Sequence, residues 1–203
     1  MSIVKLNNRS VKDITAFGSI TSLGSLTHIA TQTASSSASL SFTSGIDSTY
    51  KEYIFYFVNM HPATDNVKFQ FQGNSAGGSG FNETMTTTSF GAGNHESNGF
   101  NIFGYEDSGD QAQGTSFQRL TVNSSLGNDN DQNLSGFLHL FNPSNTTFVK
   151  HFIATTQYTS SSDYQVNDFI AGYFNTTNAI DEIQFQMSSG NIDSGQILLF
   201  GLN

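Results

Sequence analysis

Hydrophobic and polar residues alternate over short stretches of this chain, and turn-rich segments separate the stretches. Residues 50–60 are the longest aromatic and β-branched run, and apolar side chains on both faces predict a central strand covered on both sides. The run follows the turn-rich residues 44–48. It ends at His61 and Pro62, because proline removes a donor from the hydrogen-bond ladder. We expect the other strands to be arranged around this one.

The same pattern predicts strands along the rest of the chain from residue 38. Residues 39–43 alternate, and residues 67–72 do so fully, which places their apolar side chains inward and Lys68, Gln70 and Gln72 outward. The expected core residues are Ile54, Phe55, Phe57, Val67, Phe69, Phe71, Ile197 and Leu199. Further strands are expected over residues 83–89, 99–105, 115–122, 136–141, 148–158, 168–174, 179–187 and 196–202.

The number and spacing of these segments predict the fold class. About ten short strands with frequent turn signals, and no amphipathic helix of useful length, are typical of an antiparallel sandwich or barrel. Within that class we expect an all-β antiparallel β-sandwich of the jelly-roll type, in which the last strand returns beside the central one. No repeat of fixed period is visible, which argues against a solenoid or a propeller.

The N-terminal residues differ from the rest, and we expect an extended arm and linker over residues 1–37 before a sandwich domain over residues 38–203. Lys5, Arg9 and Lys12 concentrate basic charge there, among apolar residues that follow no clean period. Residues 1–18 are either a frayed terminus or an arm that docks on a neighbouring subunit. Residues 19–37 are rich in Ser and Thr and form either a linker or a weak edge strand.

Composition narrows the possible partners. A net charge of −9 argues against binding nucleic acid through its phosphates, which requires clustered Lys and Arg. The 19 Phe and 7 Tyr residues indicate a folded chain, and the absence of cysteine excludes disulfides and thiolate metal sites. The N-terminus lacks the apolar core of a signal peptide, and no stretch approaches the ~20 apolar residues of a membrane-spanning helix.

Two patterns were considered as metal sites, and neither is favoured. Asp129, Asp131 and Asn133 have the alternate spacing of a calcium loop, but Leu134 stands where glycine is expected, so an acidic surface loop is the preferred interpretation. The histidines show no zinc-helix spacing. Two of them could approach each other across the Pro143 hairpin, although hairpin histidines are more often structural than ligands. The five histidines are His28, His61, His95, His139 and His151.

No constellation of residues points to catalysis. Glycoside hydrolysis needs two carboxyl groups about 5–9 Å apart, and no pair stands out. No serine lies in a Gly-x-Ser-x-Gly elbow, and the glycine-rich residues 73–80 lack the ending of a phosphate loop. The available carboxylates are Glu83, Glu96, Glu106, Asp107 and Asp110. We therefore expect a protein that is not an enzyme, with no catalytic, cofactor-binding or metal-binding residues.

Aromatic residues in the predicted loops are candidates for exposure. Exposed rings bind sugars by stacking or pack against another subunit, and subunit packing is the more common reason for their presence. The candidates are Phe81, Phe90, Phe100, Tyr105, Tyr158 and Tyr164.

Several turn and strand motifs resemble those of virion structural proteins, of the head-decoration or fibre type, from tailed and often marine bacteriophages. They are FTSGIDSTY at residues 42–50, HPATD at 61–65, HLFNP at 139–143, IAGYF at 170–174, IQF at 183–185 and SSGNI at 188–192. These motifs are spread over most of residues 38–203, and none of them is catalytic.

The resemblance implies a non-enzymatic virion structural protein, assembled in the host cytoplasm and exposed on the particle as a head decoration or a tail-fibre component. The N-terminal arm would anchor it to other virion proteins, and a homo-oligomer, most simply a trimer, is expected. No cofactor, nucleic acid or membrane is expected as a partner. The alternative is a host-receptor module of a tail fibre that binds surface glycans through the loops at residues 73–80, 91–98 and 124–133.

Overall fold

The computed structural model describes residues 26–99 and 101–203, and this part of the chain is all-β, as the sequence predicts. Its only helical element is one 3-10 turn at Asp107–Gly109. The strands are β1 (Thr27–Ser37), β2 (Leu40–Phe42), β3 (Glu52–Pro62), β4 (Phe69–Ser75), β5 (Met85–His95), β6 (Asn101–Tyr105), β7 (Ala112–Gly114), β8 (Gln118–Arg119), β9 (Leu134–Phe141), β10 (Lys150–Thr159), β11 (Tyr164–Phe174), β12 (Ile180–Met187) and β13 (Ile192–Leu202).

Two antiparallel sheets pack face to face, which confirms the predicted sandwich. The large sheet has nine strands in the order β1-β13-β3-β9-β10-β11-β5-β6, and β7 also pairs with β5. The small sheet has four strands in the order β2-β12-β4-β8. The two sheets bury the apolar side chains that face each other, as expected for aligned sandwiches about 10 Å thick.

The aromatic run over residues 50–60 becomes β3, which lies in the interior of the large sheet. It pairs with β13 on one side and with β9 on the other, and it ends at Pro62 as predicted. The last strand, β13, therefore does return beside the central one. Only one face of β3 is fully covered, however, because Tyr56 is half-buried and Val58 is 41% exposed.

Residues 27–37 form the edge strand β1, the second of the two alternatives considered for residues 19–37. Thr27 pairs with Gly201, Ser37 pairs with Ile192, and the register shifts once near His28. The large sheet thus includes residues that lie before the domain boundary expected at residue 38. The predicted arm over residues 1–18 lies outside the described residues.

Phenylalanine rings dominate the interface between the sheets, and Phe185 of β12 is their centre. Its ring centroid lies 5.2 to 6.3 Å from those of five neighbours. They are Phe42, Phe55, Phe57, Phe69 and Phe71. Each buried ring removes a large apolar area from water, and edge-to-face contacts add about 0.5–1.5 kcal/mol per pair. All eight predicted core residues are at most 4% exposed, which confirms that prediction.

The alternation in β4 fails at its last predicted position. Gln72 was expected to face solvent, but it is fully buried. Its side-chain amide donates hydrogen bonds of 3.1 Å to the carbonyls of Glu83, Thr115 and Ser116. The segment before β8 thus covers the outer side of the small sheet, and a buried amide with three acceptors is satisfied there.

Two element predictions in the middle of the chain were also wrong. The strand expected over residues 115–122 is reduced to β8, because the chain beyond it leaves the sheet to close the core. The segment over residues 106–114, where no strand is predicted, contains the 3-10 turn and the short strand β7.

Candidate functional site

The face of the large sheet that points away from the small sheet, here called the outer face, carries two uncharged cross-strand rows. The first row crosses eight strands through Thr31, Leu198, Tyr56, Phe137, Thr155, Phe169, Phe90 and Tyr105. The second row runs through His28, Phe200, Ile54, His139, Ile153, Ala171 and Thr88. Neither row contains Lys, Arg, Asp or Glu.

The rings of these rows contact one another across the strands. Tyr56 lies edge-on between Phe200 and Phe137, with ring centroids 5.7 and 6.4 Å apart. Phe90 and Phe169 stack in parallel, with centroids 5.0 Å apart and planes inclined by 10°. Cross-strand aromatic pairs stabilise a sheet, but they do not shield the outward edges of their own rings. The rings of the outer face are therefore held in place by their neighbours and remain partly exposed to solvent.

Apolar side chains are well exposed around the Phe90–Phe169 pair. Phe90 is 47%, Phe169 38% and Ile153 45% exposed. Two open grooves flank the pair along the strand direction, with volumes of about 420 and 350 Å³. Contiguous apolar surface of this kind is typical of an interaction site. Two carboxylates border the rows: Glu52 hydrogen-bonds the His139 ring, and Asp110 accepts from the Tyr105 hydroxyl.

The inner side of the same sheet holds a buried polar network centred on Asp168 of β11. One carboxylate oxygen accepts from the backbone N–H of Val122 at 2.6 Å and lies 2.9 Å from the Tyr158 hydroxyl. The other accepts from the side-chain amide of Asn123. The Tyr158 hydroxyl also accepts from the N–H of Ser124 at 3.0 Å. The network thus fixes residues 122–124 against the sheet.

Lys68 attaches to the same segment from the opposite side. Its ammonium donates to the carbonyls of Val122 at 3.1 Å and Ser124 at 2.6 Å. Burial is the main reason why the pKa of Lys68 is lowered from 10.5 to about 8. The positive charge of Arg119 lowers this pKa further, and the negative charge of Asp168 opposes the shift. Burial also raises the pKa of Asp168 above 3.8, although its hydrogen bonds oppose the shift. These hydrogen bonds hold residues 122–124 in place from two sides, so the network stabilises structure.

A second candidate region is a polar cleft of about 290 Å³ at the end of β3, lined by Asn59, His61, Asn130, Asn133, Asp193 and Ser194. Two adjacent irregularities in the strands shape it. The β3–β9 register shifts between Phe57 and Met60, and the β13–β3 register shifts around Gly195. Bulges of this kind re-aim side chains and are common beside functional sites.

Backbone geometry explains why these residues stand at the bulges. Gly195 has φ +119°, and a Cβ there would lie 2.7 Å from the Asn59 carbonyl oxygen, so only glycine fits without displacement. Asn59 itself has φ +50°, a conformation that asparagine tolerates better than most residues. As a result, Asn59 leaves the ladder and lines the cleft.

A contact between His61 and Asp193 joins the two strands of the cleft. The Nδ1 atom of His61 lies 3.7 Å from an Asp193 carboxylate oxygen, and the Nε2 atom lies 3.2 Å from the Asp129 carbonyl. His61 therefore links β13 to the loop between β8 and β9.

The histidines that the sequence singled out are not brought together. His139 lies opposite Ile153 on the neighbouring strand and hydrogen-bonds Glu52, whereas His151 lies opposite Tyr173. The approach of His139 and His151 across the hairpin is therefore not observed. His28 packs edge-on against Phe200.

The candidate carboxylates serve local hydrogen bonds. Glu83 accepts from the Ser75 N–H, and Asp110 accepts from the hydroxyls of Ser89 and Tyr105. Glu106 accepts from the Ser108 hydroxyl. Within residues 26–99 and 101–203, no three His, Cys, Asp or Glu side chains are grouped so that they could hold a metal ion. This includes Asp129 and Asp131, which stay in a surface loop.

The exposed-aromatic prediction is correct for some residues and wrong for one. Phe90 and Tyr105 are exposed, at 47% and 65%, while Phe81 and Tyr164 are half-buried. Tyr158 is only 1% exposed, because it points inward from β10 to reach Asp168. Phe100 lies outside the described residues.

Several residues of both regions were not anticipated. The outer-face rings Tyr56, Phe137 and Phe169 sit on strands, whereas exposed aromatics were sought in loops. Asn59 and Gly195 carried a usable signal, since a polar residue and a glycine inside apolar strands indicate bulges.

Similarity to known proteins gives no information on either candidate region. A comparison of the chain with protein-family models, curated proteins and solved structures finds no match. Among the residues that the structure describes, no helix combines the length and the hydropathy needed to cross a membrane.

Proposed function

We propose that this protein is a non-enzymatic bacteriophage virion structural protein whose outer face packs against other subunits of the particle. The observation that carries the proposal is the uncharged aromatic surface formed by the two cross-strand rows. The phage context rests on the sequence resemblance described above. The protein would be exposed on the particle as a head decoration or a tail-fibre component, anchored by residues 1–18.

The dimensions of the outer face suit a stable contact. Eight strands about 4.8 Å apart, taken over roughly 20 Å of their length, present an area of about 700–800 Å². A standard protein–protein interface buries about 800 Å² per partner. A single copy of the outer face therefore provides enough area for one subunit contact.

Charge favours a second copy of the chain as the occupant. The net charge of −9 makes copies repel each other wherever acidic residues meet. The outer-face rows lack charged side chains, so two copies can bring them together without desolvating an unpaired carboxylate. We propose a homo-oligomer, with threefold symmetry by analogy with phage fibres and decoration proteins.

The winding of the chain supports a jelly roll with two insertions. Strands β1, β13, β3 and β9 face β2, β12, β4 and β8. Along the chain these eight strands alternate between the sheets except at β4 and β8, which follow each other in the small sheet. Two Greek keys wound in this way are what a jelly roll requires. The inserted strands are β5–β7 and β10–β11, which extend the large sheet beyond β9 and carry much of its exposed aromatic surface. An experimental density map that traces a different strand order would contradict this winding.

Particle composition tests the main proposal. Purified virions of the encoding phage should contain the protein in a fixed, symmetric copy number, visible by mass spectrometry and in a particle map. Deleting residues 1–18 should leave the sandwich folded and abolish incorporation. Virions without the protein, or a truncated protein that assembles at full occupancy, would contradict the role or the anchor respectively.

A matched pair of variants separates assembly from folding. Phe169→Ser lies at the exposed stacked pair, and Thr159→Ser lies on the neighbouring strand outside both rows. The first should reduce incorporation while circular dichroism stays that of an all-β fold, and the second should change neither.

A second function, a carbohydrate-binding host-receptor module, is favoured by the polar cleft at Asn59 and His61. The loop over residues 124–133, one of the three loops considered for that role, supplies Asn130 and Asn133 to it. Residues 73–80 and 91–98 do not contribute to this cleft.

A further inference from the structure

The polar cleft is assembled from three separate parts of the chain. Asn59 and His61 come from the end of β3, Asp193 and Ser194 from the start of β13, and Asn130 and Asn133 from the loop before β9. Its volume of about 290 Å³ is near the lower end of the ~300–1,000 Å³ typical of small-molecule sites.

Most of the lining side chains are not used within the fold. The side chains of Asn59, Asn130, Asn133 and Ser194 make no hydrogen bond to any residue in the described part of the chain. Each amide offers two donors and an acceptor, and the hydroxyl offers both functions. The cleft therefore presents convergent donors and acceptors to whatever enters it.

The charges around the cleft restrict the class of ligand. The Asp193 carboxylate, with Asp129 and Asp131 in the adjoining loop, disfavours phosphate, sulfate and acidic sugars. The described residues offer no group of three His, Cys, Asp or Glu side chains, which disfavours a transition-metal ion. A linear peptide would need apolar pockets for its side chains, and this lining is polar throughout.

We propose that the polar cleft binds one hexose unit of a neutral carbohydrate. A hydroxyl both donates and accepts, so a ring carrying several hydroxyls matches three amides, one serine and one carboxylate. His61, held between Asp193 and the Asp129 carbonyl, positions the carboxylate and keeps the two sides of the cleft together. This inference deepens the second function and does not depend on assembly through the outer face.

Nuclear magnetic resonance titration of the full chain with simple glycosides tests the site. The probes are the methyl glycosides of glucose, galactose and mannose, and N-acetylglucosamine. At least one should bind saturably in the millimolar range and shift the amide signals of Asn59, Asn133 and Asp193. The same glycoside should give a saturation-transfer signal.

Variants locate the binding within the cleft. Asn133→Ala and Asp193→Asn should each weaken binding at least tenfold, because each removes hydrogen-bonding groups from the cleft. Asn82→Ala, which removes an exposed amide outside the cleft, should leave binding unchanged. A deoxy analogue of the bound glycoside should also bind more weakly, since it leaves a polar group of the cleft unpaired.

The contrary outcomes are also defined. The proposal is wrong if no glycoside binds saturably, if the cleft variants bind as tightly as the parent, or if inorganic phosphate or a peptide shifts the same signals instead. Measuring particle incorporation of Asn133→Ala separates the two proposals. Normal incorporation with lost sugar binding supports the cleft alone, whereas failure of Phe169→Ser to affect assembly counts only against the outer face.

Discussion

The large sheet carries an aromatic cluster on each of its faces, and only one of them is covered. On the inner face, Phe57 contacts Phe185 of the small sheet, with ring centroids 5.2 Å apart, and both are fully buried or nearly so. On the outer face, Tyr56 and Phe200 meet at 5.7 Å, and both stay half-buried. The ring geometry is alike, so the covering layer is what distinguishes the two clusters.

This difference shows that aromatic alternation alone does not tell a core from an interface. The side chains of a strand point alternately to its two faces, so β3 supplies Phe57 to one cluster and Tyr56 to the other. The small sheet packs on the inner face, and no other described strand packs on the outer one. A sheet with apolar side chains on both faces is typically covered by other elements on both faces.

The largest expected difference between the faces comes from deleting a ring. Phe185→Ala should lower the free energy of unfolding by about 3–5 kcal/mol, through lost transfer energy and an unfilled cavity. Phe90→Ala, on the outer face, should cost less than about 1.5 kcal/mol, the upper value of an aromatic pair. Urea denaturation measures both. Equal losses would mean that the outer face is also covered within the subunit.

A second prediction concerns the polar part of the inner face. Asp168→Asn should destabilise the protein by about 1–3 kcal/mol for each buried donor that loses its acceptor. The donors at risk are the Val122 N–H, the Asn123 amide and the Tyr158 hydroxyl. Thermal denaturation of the variant measures the loss. Tyr158→Phe is the matched control, because it removes one of these donors and should cost less than Asp168→Asn.

A third prediction sharpens the contrast on the outer face. The double variant Phe90→Ser and Phe169→Ser should abolish self-association and change the stability of the subunit by no more than about 1.5 kcal/mol. Analytical ultracentrifugation over a range of concentrations gives the oligomeric state. A double variant that still associates as the parent does would place the subunit contact elsewhere.

The last prediction is a pH dependence from Lys68. Its folded-state pKa of about 8 lies below the ordinary 10.5, so between these values the unfolded chain binds the proton more strongly. Stability should therefore rise with pH from about 8 towards 10, and Lys68 should contribute no slope below 8, where both states are protonated. Lys68→Met should remove this rise in urea denaturation. The same rise in the variant would assign it to another group.

The sequence predicted a strand correctly wherever its alternating apolar residues are also the residues that are buried in the structure. Val67, Phe69 and Phe71 alternate against a layer that covers one side of β4, so their positions followed directly. Gln72 did not, because the segment that buries it comes from residues 115–116, distant in sequence. The prediction that Tyr158 is exposed was wrong for the same reason, since its burial depends on Asp168 across the hairpin.

The candidate sites depend still more on distant pairings. The outer-face rows require the register of eight strands, which no local pattern contains. The polar cleft requires that Asn59, Asn133 and Asp193 meet, and their positions follow from the bulges in β3 and β13. The glycine at position 195 indicated a bulge, but not what would lie beside it.

The position of β13 has a consequence for the order in which the protein folds. This strand lies between β1 and β3, so β1 joins the large sheet only through a strand that is far from it in the sequence. Until β13 pairs, β1 has no neighbour in the sheet and the core positions of Ile197 and Leu199 are empty. Contacts that join distant parts of a chain form slowly. The amides of β1 should therefore be among the last to gain protection from hydrogen exchange during refolding.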